Sequence, residues 1–141
     1  LKGKNKIKKK FSRAFLSYLN TKLLLDCYQS KWKGERQCSG EHKDAYDFFS
    51  TLELSGEEVN VIIELDATRA DQVAKKFLSR VNFNLGNSCI YFALCYKGTK
   101  NMSIPEVEKY FNYCAKISDF LNTNGKFINL FHGVIMQGDQ T

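Results

Sequence analysis

The stretch that most constrains the fold is residues 57–66, EEVNVIIELD, because it is apolar enough for the middle of a sheet yet ends in acidic residues. Side chains alternate between the two faces of a β-strand. The odd-numbered positions from 59 to 65 are all Val, Ile or Leu, which predicts a buried face. Glu64 and Asp66 are two residues apart and therefore share the other face.

A second β-rich run, residues 45–54, precedes this strand and predicts a hairpin through a turn at residues 55–56. With a two-residue turn, Asp47 lies opposite Glu64. With a four-residue loop, Asp47 lies opposite Asp66. Either register places the three carboxylates on one face of the sheet.

Three neighbouring carboxylates repel one another, so folding alone gives no reason to gather them. A divalent cation does, because Mg²⁺ prefers oxygen ligands from one or two carboxylates, water and phosphate. The spacing is therefore consistent with a Mg²⁺ site made by Asp47, Glu64 and Asp66. Asp44 competes for the first position, but its separation of three residues puts it on the opposite strand face, which favours Asp47.

Structural roles for the same carboxylates remain open at this stage. Asp66 can serve the turn into the next helix, with Thr68 as an alternative cap. Glu64 can pair with Lys75 or Lys76 from that helix. Under this interpretation the acidic strand end stabilises the fold and binds no metal.

The rest of the chain alternates between helical and strand patterns. The periodicity predicts a helix from Ile7 to about Tyr28, a loop over residues 29–43, helices over 69–82 and from Ser103 to Asn124, and strands over 88–97 and 127–136. This order predicts an α/β domain with a mixed β-sheet flanked by helices. We divide the single domain into a basic N-terminal arm and helix, residues 1–28, and an α/β core, residues 29–141.

The basic charge is concentrated at the N-terminus. Residues 1–13 hold seven of the 21 Lys and Arg residues and none of the 15 acids, which leaves 14 bases against 15 acids elsewhere. Clustered cations suit nucleic acid through counterion release, although such an arm is also often merely solvated. The candidate phosphate-binding residues of this arm are Lys4, Lys6, Lys8, Lys9, Lys10 and Arg13.

Five cysteines, an odd number without a CxxC motif, favour a reduced compartment over a disulfide framework. Cys27, Cys38 and His42 match no familiar zinc-finger spacing. No apolar run is long enough to span a membrane, and no secretory signal follows the lysines, so we expect a soluble, cytoplasmic protein. The first residue is Leu1, which suggests a piece of a longer chain.

The pattern resembles the restriction-endonuclease-like (PD-(D/E)XK) nuclease superfamily. The resemblance consists of Asp47 on one hairpin strand, the tripeptide Glu64-Leu65-Asp66 at the end of its partner, a following helix and a covered strand at residues 88–97. It spans residues 44–97, and its motif is short, so the order of elements carries as much weight as the letters.

The resemblance implies a restriction-endonuclease-like core that hydrolyses DNA with Mg²⁺ or Mn²⁺, held by Asp47 and Glu64. The chain departs from the family where most members have Lys, because Asp66 stands there. In some members the basic residue lies on the neighbouring helix, which makes Lys76, or Lys75, the candidate. The same helix offers Gln72 and Arg80 at four-residue spacing as DNA contacts, unless this stripe is an ordinary solvated face.

Two other functions remain open. The fold can serve as a catalytically inactive nucleic-acid-binding or protein-interaction module, with further domains or a second copy of the chain as partners. Alternatively, the chain is an unrelated small α/β domain whose acidic strand ends are incidental.

Overall fold

The computed structural model describes residues 10, 13–18, 20–22, 28–29, 45–96 and 100–136. These contain strands β1 (Tyr28–Gln29), β2 (Phe48–Leu54), β3 (Glu57–Asp66), β4 (Ser88–Tyr96) and β5 (Asn129–Met136), and helices α1 (Asp71–Asn82) and α2 (Ile104–Asn124). A 3-10 helix, Lys100–Met102, precedes α2. The strands form one sheet in the order β1-β2-β3-β4-β5. The β1/β2 and β2/β3 pairs are antiparallel and the β3/β4 and β4/β5 pairs are parallel, so the predicted α/β class with a mixed sheet is confirmed.

The β2–β3 hairpin closes through a two-residue turn. Ser55 and Gly56 both have positive φ, 52° and 80°, as the tight turns that suit twisted strands require. Leu54 pairs with Glu57, so the two-residue register is the correct one. The ladder ends at the pair Phe48–Ile63, and the next step along both strands places Asp47 beside Glu64.

Both faces of the sheet are covered by helical residues. Val61, Ile63 and Leu65 lie on one face in a buried cluster against which Phe15 and Leu16, from the helical residues 13–18, are packed. On the other face, Phe77 of α1 contacts Tyr91 of β4 edge-to-face with ring centroids 5.2 Å apart. Residues of α2 join this second cluster. The even-numbered side chains of β3, including Glu64 and Asp66, therefore point towards α1.

The predicted bounds of α1 and α2 hold within about two residues, but the cap predicted for α1 does not. The N-cap residue of α1 is Ala70, and no side chain caps the helix, so the cap predicted at Thr68 is wrong. The Asp71 carboxylate is instead bound by Arg69, at 2.7 Å. Ser103 is the N-cap of α2 as predicted, although it forms no side-chain cap bond.

At the N-terminus, helical residues extend to Thr21, followed by a turn at Lys22. Tyr28 lies in β1, so the helix predicted to reach Tyr28 ends earlier, and the boundary at residue 28 falls inside the sheet. Three cysteines of the described residues, Cys89, Cys95 and Cys114, are free and buried, where a thiol behaves as a small apolar side chain. None of the helices in the described part of the chain is long and apolar enough to cross a membrane.

Candidate active site

The carboxylates predicted to converge do so at the carboxyl end of β3. Glu64 is completely buried and Asp66 is 4% exposed, whereas the Asp47 side chain is 31% exposed. Asp47 lies just before β2, where its Oδ2 accepts a hydrogen bond of 2.8 Å from the Leu65 backbone N–H. This bond holds the Asp47 carboxylate at the end of β3, next to Glu64.

Lys76 of α1 reaches the same point from the adjacent layer. Its Nζ lies 2.9 Å from Asp66 Oδ1, 3.7 Å from Asp47 Oδ2 and 3.9 Å from Glu64 Oε2. It also donates a hydrogen bond of 3.0 Å to the Leu65 carbonyl. Lys75, the competing candidate, is exposed.

Arg80, one helical turn after Lys76, forms the second cationic contact. Its Nε donates to Glu64 Oε1 at 2.7 Å and its Nη2 donates to the Ala45 carbonyl at 2.6 Å. The side chain is only 8% exposed. We predicted Arg80 to be a DNA contact, but the structure buries its guanidinium in an ion pair. Gln72, from the same stripe, is half-buried.

Burial and charge shift the pKa values of the central groups. Burial raises the pKa of Glu64 well above its usual range, and so does the neighbouring charge of Asp47, while Arg80 and Lys76 oppose the shift. When Glu64 is ionised, its buried Oε2 has no hydrogen-bond donor among the described residues; when it is protonated, it can donate to Asp47. Glu64 therefore binds a proton more readily than a free carboxyl group does.

Lys76 remains an ammonium ion at neutral pH. Burial lowers its pKa, but the charges of Asp66, Asp47 and Glu64 together outweigh burial, so the pKa is raised. A protonated Lys76 cannot accept a proton. It can, however, offset negative charge on a group that approaches the exposed side of the site, where Asp47 and Lys76 face solvent.

The other predicted residues divide by location. Lys10 and Arg13 are helical and exposed. Asp44 and the remaining arm residues lie outside the described part of the chain; the latter are Lys4, Lys6, Lys8 and Lys9. His132 lies on β5 and stacks on Phe92 with ring centroids 5.5 Å apart.

The sequence did not identify two further groups at the site. The Tyr91 hydroxyl is buried with no hydrogen-bond partner among the described residues; burial raises its pKa, as do the charges of Glu64 and Asp66. The Ala45 carbonyl binds Arg80. In the register of β3 and β4, Tyr91 pairs with Ile62, which shares a strand face with Glu64. Tyr91 could have been placed on the same face as Glu64 only if this register had been known. No sequence signal marks a backbone carbonyl.

Two sets of observations bear on metal binding. Among the residues that the structure describes, no group of three or more His, Cys, Asp or Glu side chains is arranged to hold a metal ion. The adjacent pair Asp47 and Glu64, with its unsatisfied Oε2, nevertheless fits the one or two carboxylates that Mg²⁺ takes from a protein. Asp66 differs from this pair because its Oδ1 lies against Lys76.

Comparisons with protein-family models, with curated proteins and with solved structures give no match for this chain.

Proposed function

We propose that this protein is a Mg²⁺-dependent nuclease that hydrolyses phosphodiester bonds in DNA, with water as the nucleophile. The observation that carries the proposal is the position of Lys76, whose ammonium lies within 3.9 Å of all three carboxylates. Two acids and one lysine gathered at a strand end agree with the restriction-endonuclease-like arrangement inferred from the sequence, with the lysine supplied by the neighbouring helix.

In this proposal Asp47 and Glu64 hold Mg²⁺ or Mn²⁺. The unsatisfied Glu64 Oε2 and the mutual repulsion of the two carboxyl groups support this assignment. A third ligand at Asp66 stays a prediction. When bound, the ion lowers the pKa of an attacking water and offsets charge on the phosphate.

The remaining site residues act through charge and orientation. Lys76 offsets negative charge on the phosphate in the transition state, which is most effective in a site of low dielectric constant. Asp66 and the Leu65 carbonyl hold its ammonium in place, at 2.9 and 3.0 Å. Glu64 lies at the buried end of the proposed site, and Asp47 lies at its solvent-exposed end, where substrate would enter.

DNA is the proposed partner. The charge of residues 1–13 supports it, and Lys10 and Arg13 are exposed where the structure describes them. Contacts of this kind go to the phosphate backbone and carry no sequence information. We therefore expect the arm to contribute affinity that falls with rising salt concentration.

A second candidate function is a catalytically inactive nucleic-acid-binding or protein-interaction module of the same fold. One observation favours it: Arg80 and Lys76 already provide positive charge for the carboxylates without any metal. In this case the charged cluster is a structural ion-pair network.

The first test is Lys76→Met compared with Lys75→Met. We expect the wild-type chain to cut supercoiled plasmid with Mg²⁺ or Mn²⁺ but not with Ca²⁺, and Lys76→Met to lower the rate by about a hundredfold or more, because its charge no longer reaches the phosphate. Lys75→Met, an exposed lysine one residue away, should cut as wild type does. Intact plasmid after incubation of folded wild-type protein with either activating ion would favour the inactive module.

A further inference from the structure

Arg80 joins two segments of the site beyond the point at which the β2/β3 ladder ends. The continuous ladder between β2 and β3 ends at Phe48, and Ala45, three residues earlier, lies in an isolated β-bridge, which leaves residues 46 and 47 as a gap in the strand pairing. The Arg80 guanidinium spans this gap, with Glu64 Oε1 on one side at 2.7 Å and the Ala45 carbonyl on the other at 2.6 Å. Asp47 lies two residues after Ala45.

The end of α1 strengthens the same connection. Asn84, four residues after Arg80, donates to the Tyr46 hydroxyl at 2.9 Å and to the Arg80 carbonyl at 2.6 Å. Ala45 and Tyr46 are thus both bound from the α1 side. Asp47 follows directly and binds the Leu65 N–H. The position of the Asp47 carboxylate relative to Glu64 therefore depends on contacts from α1.

We infer that Arg80 is a positioning residue that sets the separation of the Asp47 and Glu64 carboxylates by holding the segment 45–47 against β3. This inference rests on the proposed function for its catalytic consequence. A guanidinium is planar and rigid and can bind two acceptors at once, whereas a lysine ammonium is a flexible point charge. Buried groups that orient metal-binding side chains commonly change metal affinity by about 10–100-fold when altered.

The test is Arg80→Lys, with Arg69→Lys as the matched control, since Arg69 is an exposed arginine paired with Asp71. In metal-free protein we expect amide hydrogen exchange at Leu65 to speed up by about tenfold or more in Arg80→Lys, because Asp47 is no longer held against it. Amides within β4 should exchange at the wild-type rate. The control should leave all of these rates unchanged.

Kinetics separate positioning from direct action. We expect Arg80→Lys to need about tenfold more Mg²⁺ for half-maximal cleavage, with the rate at saturating Mg²⁺ within about threefold of wild type. A lower saturating rate at unchanged Mg²⁺ dependence would overturn the inference, and so would wild-type exchange at Leu65. Accelerated exchange at Leu65 in a protein that never cleaves DNA would sustain the positioning role and refute the nuclease proposal.

A measurement on the wild-type chain covers the case in which Arg80→Lys does not fold. A guanidinium held by two buried acceptors should show an Arg80 Nε–H signal that exchanges with water about a hundredfold more slowly than that of Arg69. Equal exchange at the two arginines would show that Arg80 is not fixed and would overturn the inference.

Discussion

Glu64→Gln is expected to lower Mg²⁺-dependent DNA cleavage by about a thousandfold. Gln keeps the size of the buried side chain and can still accept a hydrogen bond from Arg80. It removes the negative charge that, with Asp47, is proposed to hold the metal. The measurement is the rate of plasmid nicking at saturating Mg²⁺, with folding checked by circular dichroism.

Glu58→Gln is the matched control for this variant. Glu58 lies on the same strand and the same face as Glu64, but its side chain is exposed. We expect it to cut DNA at the wild-type rate. Activity of Glu64→Gln within about tenfold of wild type would remove Glu64 from the proposed site.

Arg80→Met is expected to lower the free energy of unfolding by about 3–5 kcal/mol, because it leaves Glu64 buried without its nearest cation. The effect should be larger at pH 8 than at pH 5. The folded-state pKa of Glu64 is raised above its unfolded value, so the favourable contribution of protonated Glu64 is present at low pH and is lost as the pH rises through the folded pKa. The charge of Arg80 opposes this rise in pKa. Its removal therefore matters most at the higher pH, where the ionised form of Glu64 needs a cation. Urea unfolding in metal-free buffer at both pH values measures this.

The double variant Glu64→Gln/Arg80→Met tests whether the unpaired charge of Glu64 causes the loss of stability in Arg80→Met. Once the carboxylate is neutral, no buried charge is left unpaired, so the double variant should recover most of the stability lost in Arg80→Met. If the two substitutions destabilise additively, the ion pair is not the source of the loss.

The hairpin pairing and the convergence of the three carboxylates of the candidate site were predictable because they follow from short-range rules. Alternation along residues 57–66 assigned Glu64 and Asp66 to the face opposite the apolar residues, and the structure places them on the α1 side. The parity of the hairpin brought Asp47 to the same face in both registers considered. The two-residue register depends on positive φ values at Ser55 and Gly56, which close the tight turn. The amino-acid sequence suggests these values but does not determine them.

The role of Arg80 could not be predicted because it depends on the packing of α1 against the sheet. The four-residue spacing of Gln72, Lys76 and Arg80 defines a stripe but does not indicate whether the stripe faces solvent or β3. The structure turns the stripe towards β3, and the Arg80 guanidinium forms a buried ion pair with Glu64. The partner at Ala45 is a backbone carbonyl, which every residue carries. The side chain at position 45 therefore gives no signal for this bond.

The start of α1 shows a second limit of prediction from the sequence, because its N-cap is Ala70 and not Thr68. Thr68, which we named as an alternative cap to Asp66, stands three residues before Asp71, the spacing of a capping box. Arg69 binds Asp71 with two hydrogen bonds, at 3.0 and 2.7 Å, and the observed N-cap, Ala70, lies two residues after Thr68. An exposed ion pair of local origin competed with the cap, and propensity rules do not rank such alternatives.

The most direct test of the central claim is calorimetric titration of the wild-type chain, Asp47→Asn and Glu64→Gln with Mg²⁺ and Mn²⁺. We expect one bound ion per wild-type chain and binding weaker by about a hundredfold in each variant, because each loses one of two charged ligands. Equal binding by all three proteins, or no binding by folded wild-type protein, would contradict a metal site formed by Asp47 and Glu64.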